Sequence, residues 1–181
     1  MKKIKQIVTI FAALALAVTA GLSFAGTKTK AAGSDEFTRT AIEIAADMGY
    51  GWNLGNTMEA TNTWTSNPKV TDFETAWGQP VTTKAMIDGI KKAGFNSIRI
   101  PVSWSNMMSS DGNYTIDASY FKRVDEIISY AFANDMYVII NDHYDGGWWE
   151  HFCGNKRDCM KHYKNMWTQV AEHYKDYSEK L

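Results

Sequence analysis

Apolar positions along the chain change period repeatedly after residue 36, and each change predicts an element. Phe37, Ala41, Ile44, Ala45 and Met48 recur at helical spacing, with charged Arg39, Glu43 and Asp47 between them. That pattern predicts an amphipathic helix stopped by Gly49. Residues 50–54 form a short strand candidate, followed by a long polar loop over 55–80. Thr82 or Thr83 can cap the next helix, whose Met86, Ile87, Ile90 and Ala93 share a face before Gly94 ends it. The β-branched run 96–102 (NSIRIPV) reads as a strand closed by Pro101, which has no N–H for a ladder. Asp117 caps a helix with Phe121, Val124, Ile127, Ile128, Ala131 and Phe132 on one stripe.

Residues 137–141 (YVIIN) are apolar on consecutive positions, as in strands buried on both faces, which favours a parallel sheet covered by helices. A last helix over 158–174 presents Met160, Tyr163, Met166, Trp167 and Val170, with His162 and His173 expected at its surface. The order is helix, then strand and helix in three rounds. Such alternation builds an α/β fold on a parallel sheet. Loops after strands are long and loops after helices are short, so a site is expected at the strand ends.

The amino-terminal residues read as an address and not as fold. Lys2, Lys3 and Lys5 precede an apolar run from Ile7 to Ala20, and Ser23-Phe24-Ala25 offers a small-residue cleavage site. Residues 1–25 are therefore expected to be a secretory signal peptide, because the run is shorter than the roughly 20 residues a membrane span needs. Residues 26–34 read as a flexible spacer and 35–181 as the domain. The expectation is a secreted, extracellular protein, with no membrane association after cleavage.

Charge and composition remove other classes. The chain has 19 basic and 20 acidic side chains, so it lacks the basic excess expected of a nucleic-acid binder. With 45% hydrophobic residues it has material for a core, which argues against disorder. Nothing in the sequence marks an obligate protein partner. Cys153 and Cys159 share one short loop, and in an exported protein a pair so close reads first as a disulfide. Zinc with His151 and His162, or two free thiols, remain the alternatives; the cysteine gap is wide for structural zinc.

Polar residues inside the strand runs are the candidate chemistry. Arg99 lies between Ile98 and Ile100, where a guanidinium needs an anionic partner, supplied either by a site or by a structural ion pair. His143 closes the third strand within Asn141-Asp142-His143-Tyr144-Asp145, and either contacts a ligand or satisfies a local hydrogen bond. Asn53 ends the first strand between Gly51 and Gly55, which allow close backbone approach. Trp64, Trp77, Trp104, Trp148 and Trp149 lie in or beside the strand-end loops, as core packing or as platforms for the flat apolar faces of sugars.

Four segments taken together resemble glycoside hydrolase family 5, the cellulase family of (β/α)8 TIM barrels. They are GWNLGNTMEA (51–60), AWGQPVTTKAMI (76–87), GFNSIRIPVSW (94–104) and YVIINDHYDGGWW (137–149), in family order and covering nearly everything after the spacer. The resemblance implies a retaining endo-β-1,4-glucanase with a β-glucan polysaccharide as substrate and no cofactor or metal. It implies that Arg99 supports the nucleophilic carboxylate and His143 lies near the reacting sugar, with Asn53, Tyr144, Trp148 and Trp149 as substrate contacts. Tyr144 stands where relatives commonly carry a second histidine.

The family's acid/base glutamate sits in an Asn-Glu-Pro motif after the fourth strand and its nucleophile after the seventh. No Asn-Glu-Pro occurs in the 181 residues, and Glu59, Glu74 and Glu150 match neither position. The expectation is a truncated barrel holding three βα units, inactive by itself. A carbohydrate-binding module and a small complete α/β binding protein are the rival readings; the helices disagree with the first, since such modules are mostly β-sandwiches.

Overall fold

The computed structural model describes residues 39–181. The expected signal peptide, the spacer and Phe37 lie outside the described residues. Three strands, β1 (Gly51–Asn53), β2 (Ser97–Val102) and β3 (Tyr137–Asp142), form a parallel sheet in that order. The register sets Asn53 beside Arg99 and Arg99 beside Ile139. Among the described residues five α-helices accompany them: α1 (Ala41–Met48), α2 (Val70–Glu74), α3 (Lys84–Lys92), α4 (Ala118–Phe132) and α5 (Lys156–Tyr174).

Alternation along each strand separates two faces of the sheet. Ile98, Ile100 and Val102 of β2 and Val138 of β3 are buried with Ile87 of α3, with Val124, Ile127, Ile128 and Ala131 of α4, and with Met166 and Val170 of α5. The other face carries Asn53, Arg99 and Ile139, and both Asn53 and Ile139 are exposed. One face is thus core, and the other presents polar groups. The chain's last residues return to the outer edge of β3, where Val138 N donates to the Lys180 carbonyl at 2.7 Å.

Caps locate most of the helix starts. Thr40 and Glu43 form a reciprocal capping box on α1, Thr83 caps α3, and Asp117 accepts from Ser119 N at the head of α4. Several sequence expectations need correction. Helix α1 buries no residue, and Ile42 is 83% exposed. The long polar loop contains α2, a helix of five residues, too short for a period to show. Helix α5 starts at Lys156, and its inward face keeps the expected Met166 and Val170 but not Tyr163. Its buried positions are Cys159, His162, Met166, Val170 and Tyr174, so His162 is a core residue and Tyr163 lies exposed.

Candidate functional site

Arg99 occupies the middle of β2 on the polar face. Its Nη1 donates to Asn53 Oδ1 at 2.6 Å and its Nη2 lies 3.0 Å from His143 Nδ1. The sheet therefore gathers side chains from three adjacent strands: Asn53 from the end of β1, Arg99 from β2, and His143 from just past β3. A guanidinium can only donate, so Nδ1 of His143 accepts and the imidazole proton resides on Nε2. Neither partner of Arg99 is an acid, and no carboxylate among the described residues forms an ion pair with it. Its charge stays partly solvated and available to an anion.

Gly55 explains how Asn53 reaches this position. A Cβ at residue 55 would stand 2.7 Å from Asn53 Nδ2, so any other residue would push the amide away from Arg99.

His143 is fixed from both sides of its backbone. Its N–H donates to Val102 O at 3.0 Å, and its carbonyl accepts from Ser103 Oγ at 3.1 Å. The carbonyl also accepts from Asp145 N at 2.7 Å, which closes a γ-turn centred on Tyr144. Tyr144 has φ 58° and ψ −58°, a conformation that costs on the order of 1–3 kcal/mol for a non-glycine residue. Neighbours hold it there: the Tyr144 carbonyl accepts from Gly147 N at 2.8 Å and from Trp149 Nε1 at 3.0 Å. The strained turn aims the Tyr144 ring at Trp77, with ring centroids 6.4 Å apart.

Asp145 is the hub below this turn. It is buried and accepts from Ser105 N, Ser105 Oγ and Trp148 Nε1, each at 2.7 Å. Ser105 Oγ also lies 3.1 Å from Nε2 of His162, whose ring is stacked between Tyr114 and Trp148. Burial lowers the His162 pKa, against a smaller raising effect from Asp145. At the end of β3, burial and the charge of Asp145 push the Asp142 carboxyl up to about 8.

The sequence-named residues divide accordingly. Asn53, Arg99, His143 and Tyr144 come together. Trp148 does not join them, because its ring stacks on His162 and its N–H is taken by Asp145. Trp149 braces the Tyr144 carbonyl through its N–H, with its ring half exposed. Trp104 is core. The expected Cys153–Cys159 disulfide is not formed: both are free thiols, Cys153 exposed and Cys159 buried at 3.5 Å from the Trp148 carbonyl. Nor do these cysteines meet His151 and His162 as a metal site among the described residues.

Of the three glutamates named from the sequence, Glu59 and Glu74 are occupied structurally, while Glu150 lies exposed. Glu59 accepts from Asn56 N and Thr57 N at 2.6 and 2.9 Å, closing the turn after β1. Glu74, fully buried, takes Arg123 Nε and Nη2 at 2.9 and 2.8 Å and Thr82 N at 2.7 Å. The roles of Ser105 and Asp145 were not foreseen; their link spans 40 residues and leaves no local pattern.

Comparison with known proteins gives a consistent set. The Cellulase family profile (glycosyl hydrolase family 5) matches residues 58–181. Endoglucanase A of Clostridium longisporum is 46% identical over 144 residues, covering 79% of this chain and 28% of that protein. Endoglucanase A of Paenibacillus barcinonensis is 42% identical over 176 residues, 94% of this chain and 42% of that one. Among solved structures, a GH5-4 broad specificity endoglucanase from Ruminococcus champanellensis with bound cellotriose superposes with TM-score 0.75 at 41% identity. It is matched over 82% of this chain and 43% of its own. The chain thus spans less than half the length of these relatives.

Proposed function

This chain belongs to glycosyl hydrolase family 5, the cellulase family, and from that premise we propose that it acts in the endo-cleavage of β-1,4-glucan, contributing the orienting part of the pocket. The observation that carries this reading is the fork of Arg99, donating to Asn53 and His143 at the ends of neighbouring parallel strands. In (β/α)8 enzymes the chemistry collects at that end of the sheet. The three-stranded parallel sheet with its helices on one face is consistent with part of such a barrel.

Retaining hydrolysis of a glycosidic bond needs two carboxyl groups about 5–5.5 Å apart, one attacking the anomeric carbon and one protonating the leaving oxygen. Glu59 and Glu74 have other work, so neither role falls to them. What these residues supply is placement and charge. Arg99 provides a fixed cation that keeps a neighbouring carboxylate ionised, hence nucleophilic. His143 presents Nε2–H as a donor to a sugar hydroxyl, and Asn53, its oxygen taken by Arg99, keeps its NH2 free for the same task. No proton-transfer route follows from these groups, and the 181-residue chain alone is expected to be inactive.

Export belongs to the same proposal. It is supported by the basic start, the apolar run and the small residues at Ser23 and Ala25, and by a polymeric substrate that cannot enter a cell.

Two measurements on the purified chain test the reading together. Titration with cellotetraose should show saturable binding that weakens about tenfold in Arg99→Ala, the loss expected for a charge-assisted contact. Incubation with a soluble cellulose derivative should release no reducing sugar above background. Binding unaffected by Arg99→Ala would remove the pocket, and measurable sugar release would remove the division of labour.

A further inference from the structure

Four consecutive residues after β3, Tyr144 to Gly147, have positive φ: 58°, 50°, 70° and 72°. Two of the four are not glycine, and strained neighbours of this kind persist only where their surroundings over-determine them. The restraint comes from outside the turn. Asp145 is 1% exposed, and its carboxyl oxygens are held by three donors. Two of the three belong to Ser105, in the short turn Trp104–Met107 that follows β2. Its amide reaches Oδ1 and its hydroxyl reaches Oδ2, each at 2.7 Å.

Ser105 is itself oriented. Its hydroxyl proton goes to Asp145, so the same oxygen accepts from His162 Nε2 at 3.1 Å, and that ring is clamped between Tyr114 and Trp148. From Asp145 the path to the pocket is short. The Asp145 amide donates to the His143 carbonyl at 2.7 Å, and the His143 ring meets Arg99 Nη2 at 3.0 Å. His143 is exposed, so packing alone does not set the direction of its ring. That direction depends on a turn which Ser105 pins from the neighbouring strand's loop.

We infer that Ser105 is a positioning residue for the sugar-binding pocket: acting through Asp145, it holds the strained turn that sets His143 against Arg99. This rests on the glucanase reading and deepens it by adding a residue that acts at one remove from the sugar.

The test uses the full chain, cellotetraose titration for Kd, and long-range nitrogen–proton NMR for the His143 ring, with urea unfolding to verify that each variant is folded. Ser105→Ala removes the hydroxyl and leaves the backbone amide on Asp145. It should raise Kd about three- to tenfold, the size of one lost hydrogen bond, and turn a single His143 tautomer into a mixture. Ser105→Thr keeps the hydroxyl and should restore the single tautomer and a Kd within about twofold of the parent. Should Ser105→Ala fail to fold, Ser105→Cys, a weak donor of similar size, takes its place with the same expectation. Val170→Ala, a core truncation on α5, should lower stability without moving Kd or the His143 spectrum.

If Ser105→Ala keeps the parent Kd and the single tautomer while Arg99→Ala weakens binding, the positioning role falls and the glucanase reading stands. If Val170→Ala moves both readings as far as Ser105→Ala does, the effect is general loosening and the role falls too. If the parent chain takes up no cellotetraose, the glucanase reading fails, and the His143 spectrum alone decides the role of Ser105.

Discussion

Asp142 and Asp145, three residues apart at the end of β3, stand in unequal surroundings, and it is Asp142 whose carboxyl is pushed up. Asp145 accepts from the Ser105 amide, the Ser105 hydroxyl and the Trp148 indole. Asp142 has no such donors, and one of its buried oxygens has no partner. Burial and the neighbouring charge push it up to about 8.

A pH dependence of stability follows. The folded value lies above the unfolded value of roughly 4, so the folded chain holds a proton that the unfolded chain has lost. This group's contribution is most favourable in acid and declines as pH rises from about 4 to about 8. His162 has a lowered pKa and works in the opposite sense, but only below about 6.5, where the unfolded histidine charges. Between about pH 6.5 and 8, stability against urea should therefore fall. Asp142→Asn should flatten that slope and add about 1 kcal/mol at pH 8, a modest gain because the group is only half-buried. A parent chain equally stable at both ends of that window would refute the raised Asp142 carboxyl.

The Arg99 contact dictates the tautomer of His143. A hydrogen bond from a charged donor contributes about 1.5–3 kcal/mol, more than enough to bias one tautomer over the other. Long-range nitrogen–proton NMR should show His143 with Nδ1 unprotonated and Nε2 protonated at neutral pH. Arg99→Met should leave a mixture. A parent spectrum with the proton on Nδ1 would contradict the 3.0 Å contact as described.

How far these features were readable in the sequence depends on their range. Strand β3 announces itself by consecutive apolar residues and β2 by its β-branched run, and Arg99 and His143 stand out as polar residues at the middle of β2 and just past β3. The apolar period of α5 points inward only in part: Met166 and Val170 are buried as it implies, but Tyr163 is not. Met160 and Tyr163 are apolar by type, but the side of the helix that turns inward carries His162, accommodated by stacking on Trp148 and Tyr114 and by Ser105. Periodicity counts a histidine as polar and cannot see such a niche. The Trp77–Tyr144 contact depends equally on tertiary structure, since it needs both a γ-turn and a loop from another strand.

Glu74 and Arg123 supply a structural test away from the pocket. Glu74 is completely buried, and Arg123 grips both its oxygens while donating to the Thr82 carbonyl at 2.7 Å. The pair ties α2 and the start of α3 to α4. Removing one partner strands the other, at a cost of about 3–5 kcal/mol. Glu74→Ala should lower unfolding free energy by that amount, and the double variant Glu74→Leu/Arg123→Met should recover much of it. If Glu74→Ala were as stable as the parent, the carboxylate would be free for other work, and its exclusion from catalysis would have to be revisited.

The cysteines give the last expectation. Cys159 lies in the first turns of α5 among its buried residues, its Sγ against the Trp148 carbonyl, while Cys153 is exposed in the loop before the helix. Reaction with a thiol reagent requires contact with the sulfur, so exposure controls the rate here. The native chain should titrate one thiol within seconds and the second only as α5 loosens, at least about a hundredfold more slowly if opening costs roughly 3 kcal/mol. Labelling at Cys153 should leave the Arg99 pocket and its cellotetraose affinity intact, because the thiol is exposed in the loop before α5 and takes no part in the Arg99 hydrogen bonds. In denaturant without reductant both thiols should react. A denatured chain with no titratable thiol would instead establish the bridge that the spacing suggested, and residues 153–159 would have to be redrawn.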